Sequence, residues 1–114
     1  MKGFTSLKNV QQELANAKIS CVQLVDYYLN KIETKSDLNA FIETFDSSAK
    51  AQAEHVDQKI KEGKSGKLAG LIISIKDNIC YKGHKLSASS KMLEEFESLY
   101  SATVVERLLK EDAI

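Results

Sequence analysis

Proline is absent from this 114-residue chain and glycine is limited to five positions. That leaves almost no material for phosphate-cradling loops or sharp catalytic turns. Cysteine occurs only as Cys21 and Cys80; they are far apart and no secretory segment precedes them, which favours a reduced, cytoplasmic setting over a disulfide framework. No sign of charge dominates: Lys plus Arg and Asp plus Glu number 16 each, so neither a nucleic-acid surface nor an acidic tail is signalled. No apolar run approaches the roughly 18 residues of a membrane helix, and residues 1–9 are too polar for a signal peptide. We therefore expect a soluble chain with Met1 as its native start. Internal repeats, low-complexity tracts and Gly/Ser/Pro linkers are also missing, so residues 1–114 read as one segment without an internal boundary, long enough for one core.

Amphipathic periodicity is plentiful. Over residues 5–18, Leu7, Val10, Leu14 and Ala17 recur at helical steps, and this predicts a first helix. Ser20 with Gln23 three residues on forms a capping box for a second, striped by Val22, Val25, Leu29 and Ile32 and ending near Thr34. Phe41 and Phe45 flank a short β-prone run at 40–45, read as an exposed strand. Asp46 or Ser47 can cap a third helix carrying Ala49, Ala53, Val56 and Ile60, with Gly63 and Gly66 as its stop. Leu71, Ile72, Ile73, Ser74 and Ile75 form a nearly continuous, largely β-branched run between Gly70 and Asp77, as expected of a strand buried on both faces. Thr103 and Glu106 make a second capping-box pattern, heading a helix with Val104, Leu108 and Leu109 inward, and Ala113 with Ile114 begins a new strand. The order predicts an α/β fold: N-terminal helices plus the first strands of a larger mixed sheet flanked by helices.

Lys76, at the end of the 71–75 run, is the foremost candidate for chemistry. Lysine is rarely buried, because removing an ammonium from water costs several kcal/mol. Desolvation lowers a lysine pKa, and a neutral lysine can take a proton from a hydroxyl nucleophile or form a Schiff base. Strand position alone equally suits the first solvated residue past the strand. Ser87, Ser89 and Ser90 follow in a loop and read as a solvated turn that could approach a substrate. Cys80 and His84 have a metal-like spacing, yet two ligands do not make a site. His55 reads as a surface residue, Cys21 as a packed one, and Asp77 with Asn78 as groups that orient the loop beside Lys76.

The stretch from Gly66 through Leu68, Gly70 and Ile75 to Lys76 and Asp77 closely resembles the lysine segment of the amidase signature family, in which a G-x-L-x-G turn feeds a strand ending in Lys-Asp. The resemblance extends through Lys82, Gly83 and His84, the serines at 87–90 and residues 101–108. Its early markers are Ile19 with Ser20 and the residues 38–41. In this longer register the chain is most similar to the A subunits of the aspartyl/glutamyl-tRNA amidotransferases, over the first quarter or so of their length. The resemblance implies that Lys76 is the base of a Ser-cis-Ser-Lys triad, taking a proton through a bridging serine from the serine that attacks an amide carbonyl. The two serines belong to glycine- and serine-rich segments that nothing in this sequence matches. The glycine count agrees, since an oxyanion hole of backbone N–H groups needs a tight turn, and these 114 residues are expected to be inactive alone. Further implications are glutamine as amide donor, B and C subunits as partners in a heterotrimer, and mischarged tRNA held by the B subunit. No cofactor is implied for this chain, ATP and Mg being used by the partner subunit. Where the family commonly has proline, two residues after the glycine opening the strand, this chain has Ile72, which suits a buried strand. Two alternatives stand beside this reading: another amidase of the family acting on free amides, and a non-catalytic helical interaction module with Lys76 on its surface.

Overall fold

The computed structural model describes residues 3–114; Met1, expected to be the native start, and Lys2 lie outside them. Among the described residues four α-helices form: α1 (Leu7–Ala15), α2 (Cys21–Thr34), α3 (Asp46–Lys61) and α4 (Thr103–Lys110), with single 3-10 turns at Ser36–Leu38 and Lys91–Leu93. No helix among the described residues is long and apolar enough to cross a membrane.

The start of α2 follows its sequence. Ser20 accepts a hydrogen bond from the Gln23 N–H, and the Gln23 side chain accepts one from the Ser20 N–H. A partner distant in sequence completes it: the Asp57 carboxylate of α3 accepts from the N–H groups of Cys21 at 2.7 Å and Val22 at 3.3 Å. A carboxylate at these orphan donors also suits the positive end of the helix dipole. Lys50 of α3 meanwhile pairs with Asp26 of α2 at 2.9 Å. The two contacts run in opposite chain directions, so α2 and α3 are antiparallel. Between them and α1 lies the core, formed by Val10, Leu14, Cys21, Leu24, Val25, Ala53, Val56, Ala69 and Ile114.

Three helices end alike. In α1, α3 and α4 the residue two past the helix adopts a left-handed conformation, at Ala17 (φ 53°), Gly63 (φ 68°) and Asp112 (φ 66°). Its N–H, and that of the next residue, return to carbonyls of the last turn: Ala17 to Leu14 and Lys18 to Glu13, Gly63 to Ile60 and Lys64 to Lys59, Asp112 to Leu109 and Ala113 to Leu108. This is the Schellman closure. It shortens α1 relative to the expectation, and Ala17 is exposed instead of continuing the apolar stripe. Gly66, expected to help stop α3, instead permits a close backbone approach, since a Cβ there would lie 2.6 Å from the Glu111 backbone.

Several expectations are corrected. Residues 40–45 form no strand; among the described residues this connection has no ladder partner, and it leaves Ile42 82% exposed. Helix α3 begins at Asp46 without a side-chain cap, Phe45 holding the N-cap position. Helix α4 has Ala102, not Thr103, at its N-cap, because the Ala102 N–H is anchored to the Cys80 carbonyl at 2.8 Å. The inward register follows from that anchor: Val105 is 1% exposed, whereas Val104 is 51% exposed.

Residues 71–75 are not a strand buried on both faces. Leu71, Ile72, Ile73 and Ile75 are half-buried and Ser74 and Lys76 exposed. Among the described residues this run has only the start of a ladder: Ile73 donates to the Ile114 carbonyl at 2.8 Å and Ile114 donates to the Leu71 carbonyl at 2.9 Å. One residue bonding to two that lie two positions apart is the parallel pattern. A strand needs such partners along its length, and Ala113 and Ile114 supply only one.

Candidate functional site

The turn before the candidate lysine is fixed by two glycines. Besides Gly66, Gly70 sits at φ 83°, and a Cβ there would overlap the Leu14 side chain. Asp112 ties the same turn down, accepting from the Gly66 N–H and from Lys59 Nζ, both at 2.6 Å. Burial pushes the Asp112 carboxyl up, but the Lys59 ammonium and the Gly66 N–H outweigh it and hold the acid below its ordinary value. Gln11 of α1 donates to the Lys67 carbonyl at 2.8 Å. The run 71–75 thus leaves a rigid base.

Lys76 lies at the rim of a cleft of about 920 Å³, together with Asp77, Ser87, Ser89, Phe41 and Glu43. The lysine is exposed, not desolvated at the end of a buried strand, because the 71–75 run before it is only half-buried. Its main chain is firmly held. The Ile79 N–H donates to the Lys76 carbonyl and the Ala88 N–H to the Asp77 carbonyl, both at 2.9 Å. The Asp77 carboxylate accepts from the Ser87 hydroxyl at 2.5 Å and the Ser87 N–H at 3.0 Å. These two hydrogen bonds, the hydroxyl foremost, hold the Asp77 carboxyl below its ordinary value. Asp77 therefore orients the loop, as its position implied, and Ser87 and Ser89 reach the lysine's cleft.

Other sequence candidates do not join the site. His84 packs against both Phe45 and Tyr81, with ring centroids 3.9 and 4.4 Å away, the two aromatic rings also meeting edge-on at 5.8 Å, and its Nε2 shares a 3.3 Å hydrogen bond with Ser48 Oγ. This cluster staples the loop after Lys76 onto α3 and went unseen in the sequence, where 36 residues separate its two polar members. Among the described residues no three His, Cys, Asp or Glu side chains form a metal-holding group. His55 is exposed. Cys21 and Cys80 are free thiols; burial, with the Asp57 carboxylate adding to it, pushes the Cys21 thiol far above its ordinary value. Behind the 71–75 run lies a second, apolar pocket of about 140 Å³ between Val25, Leu29, Ile32, Phe45, Ile72 and Leu109. Ile114, which pairs with the run, lines it as well.

With this geometry established, comparison with known proteins is decisive. The family model described as Amidase matches residues 23–114. The chain belongs to the amidase family. Among curated relatives, the A subunit of the glutamyl-tRNA(Gln) amidotransferase from Chlorobaculum parvum is 39% identical over 97% of this chain and 23% of its own length. Its counterpart from Chlorobium limicola is 40% identical, with 97% and 24% covered. The match falls on their N-terminal part, so the chain spans about a quarter of the length of these relatives. Among solved amidases, a peptide amidase from Stenotrophomonas maltophilia superposes with TM-score 0.86 at 26% identity, over 96% of this chain and 23% of the enzyme. A bacterial aryl acylamidase does so with TM-score 0.88 at 21% identity, over 96% and 24%. Both carry the same arrangement of this amidase segment within much longer chains.

Proposed function

We propose that this chain is the lysine-bearing N-terminal portion of a glutamine-hydrolysing amidotransferase A subunit, with Lys76 as the base of its Ser-cis-Ser-Lys triad. One observation carries the reading: Lys76 stands at the rim of a large cleft, on a main chain pinned from both sides, inside the stretch that matches the amidase family. The identity of 39–40% to curated A subunits favours amidotransferase over a free-amide amidase.

In this mechanism neutral Lys76 takes a proton from a bridging serine, which takes one from the nucleophilic serine. The nucleophile attacks the glutamine side-chain amide, the proton returns from Lys76 through the bridging serine to the nitrogen, the C–N bond breaks and ammonia leaves; water, giving a proton to the same relay and so freeing the serine, then cleaves the acyl-enzyme to glutamate. Both serines come from the rest of the amidase domain. That remainder also supplies the strands that extend the 71–75 run into a larger mixed sheet and cover the lysine's cleft. Ammonia passes to a B subunit that holds Glu-tRNA(Gln) or Asp-tRNA(Asn) and uses ATP and Mg, while a C subunit braces the heterotrimer in the cytoplasm.

The test is glutamine hydrolysis by the assembled enzyme. Lys76→Ala is expected to abolish it, by at least about 10³-fold in kcat, with assembly on a sizing column unchanged. Retained activity overturns the triad assignment. These 114 residues alone are expected to release no ammonia from glutamine.

A further inference from the structure

We propose that Asp77 and Ser87 are positioning residues for Lys76, acting as a clamp that fixes the direction in which the lysine leaves its strand; the inference rests on the catalytic reading of Lys76. The clamp joins the residue after the lysine to a loop ten positions on. Asp77 receives three hydrogen bonds from that loop: the Ser87 hydroxyl and N–H on its two carboxylate oxygens at 2.5 and 3.0 Å, and the Ala88 N–H on its carbonyl at 2.9 Å. Immediately beyond, Ala88 and Ser89 take left-handed conformations at φ 48° and 59°. That region is disfavoured for residues with a Cβ, and such geometry persists where surrounding bonds over-determine it. Here those bonds end on Asp77, and the strained loop is what brings Ser89 to the lysine's cleft.

The carboxylate does not face Lys76 as an ion-pair partner. Among the described residues the lysine has no salt bridge, and Asp77 spends both oxygens on Ser87. Its effect on the lysine is therefore geometric, through the shared backbone and the Ile79-to-Lys76 turn. A lysine that must deliver its Nζ to a serine oxygen at hydrogen-bond distance is sensitive to such an anchor, since displacements near 1 Å can cost about 100-fold in rate.

Two measurements test this. In the assembled enzyme, Asp77→Ala and Ser87→Ala are expected to lower kcat for glutamine hydrolysis about 10- to 100-fold with KM within about 3-fold, and Ser87→Thr, which keeps the hydroxyl, should restore most of it. In the same assembled enzyme, amide exchange read by mass spectrometry should speed at least about 10-fold at positions 87 and 88 in both alanine variants, with the amides of α2 and α3 unchanged as the control for folding. Where Asp77→Ala disturbs those helices, Ser87→Ala decides. Wild-type kcat in Ser87→Ala beside an inactive Lys76→Ala overturns the clamp and leaves the lysine assignment standing. A Ser87→Thr variant as impaired as Ser87→Ala, or unchanged exchange at Ala88, also overturns it. Full activity in Lys76→Ala removes both.

Discussion

At the scale of single residues, the site is governed by which side chains hold backbone and which stay free to react. Asp77 is the clearest holder. Its carboxyl lies below its ordinary value because the Ser87 hydroxyl and N–H favour the charged form. A depressed acid contributes stability that is complete above its unfolded value, near pH 3.9, and is lost as pH falls through the lower folded one. The loop is therefore expected to stay clamped down to about pH 4 and to open only below it. Chemical-shift titration of the Ser87 amide checks this; a midpoint at or above the ordinary aspartate value contradicts it. Lys76 was singled out on a different ground. Position at the end of an apolar run suits a base and a solvated lysine equally, and the side chain is exposed. What singled it out was the wording from Gly66 to Asp77, and the geometry then explained that wording: Gly66 and Gly70 are the two points where a Cβ meets the Glu111 backbone or Leu14. The partners of these residues were not legible. Nothing in sequence joins Asp112 to Gly66 across 46 positions or Asp57 to the start of α2 across 36, since long-range capping leaves no periodic trace.

At the scale of elements, helix starts and stops were readable to the extent that they use local chemistry. The α2 capping box is wholly local, and it formed where Ser20 and Gln23 indicated. The start of α4 shifted because a long-range bond to Cys80 outweighed the Thr103 signal. The three Schellman ends show the same division. Gly63 announces itself, whereas Ala17 and Asp112 take the same conformation without being the residue that favours it. Asp112 has a compensation, because its carboxylate binds Lys59 and the Gly66 N–H. Ala17 has none: it is exposed and contributes only its backbone. A left-handed alanine costs about 1–2 kcal/mol, whereas glycine gives back about 0.4–1 kcal/mol through a freer unfolded chain. Ala17→Gly is therefore expected to stabilise the fold by about 0.5–1 kcal/mol, read as a rise of a few degrees in Tm. A fall in Tm contradicts the assignment of strain to this position.

At the scale of the whole molecule, the exposed area says more than the element list. A compact monomer of 12.7 kDa has an accessible surface of about 6,200 Å² and a radius of gyration near 13 Å. This chain exposes 8067 Å² with a radius of gyration of 14.9 Å and extents of 47 × 31 × 21 Å. The excess, roughly 1,800 Å², is about twice what one partner of a standard protein interface buries. Part of it is apolar: Ile42, Met92 and Leu99 are each more than three-quarters exposed, and one face of the 71–75 run opens on the apolar pocket. Unpaired strand backbone beside exposed apolar side chains is a template for association. The 114-residue chain alone is therefore expected to bind a hydrophobic dye such as ANS and to self-associate as concentration rises, with both effects suppressed when the remainder of an amidase domain is supplied in trans. Dye fluorescence and light scattering across a dilution series read the outcome. A monomer without dye binding would mean that the open face is closed by rearrangement within the chain, and that the half-paired run at 71–75 does not await further strands.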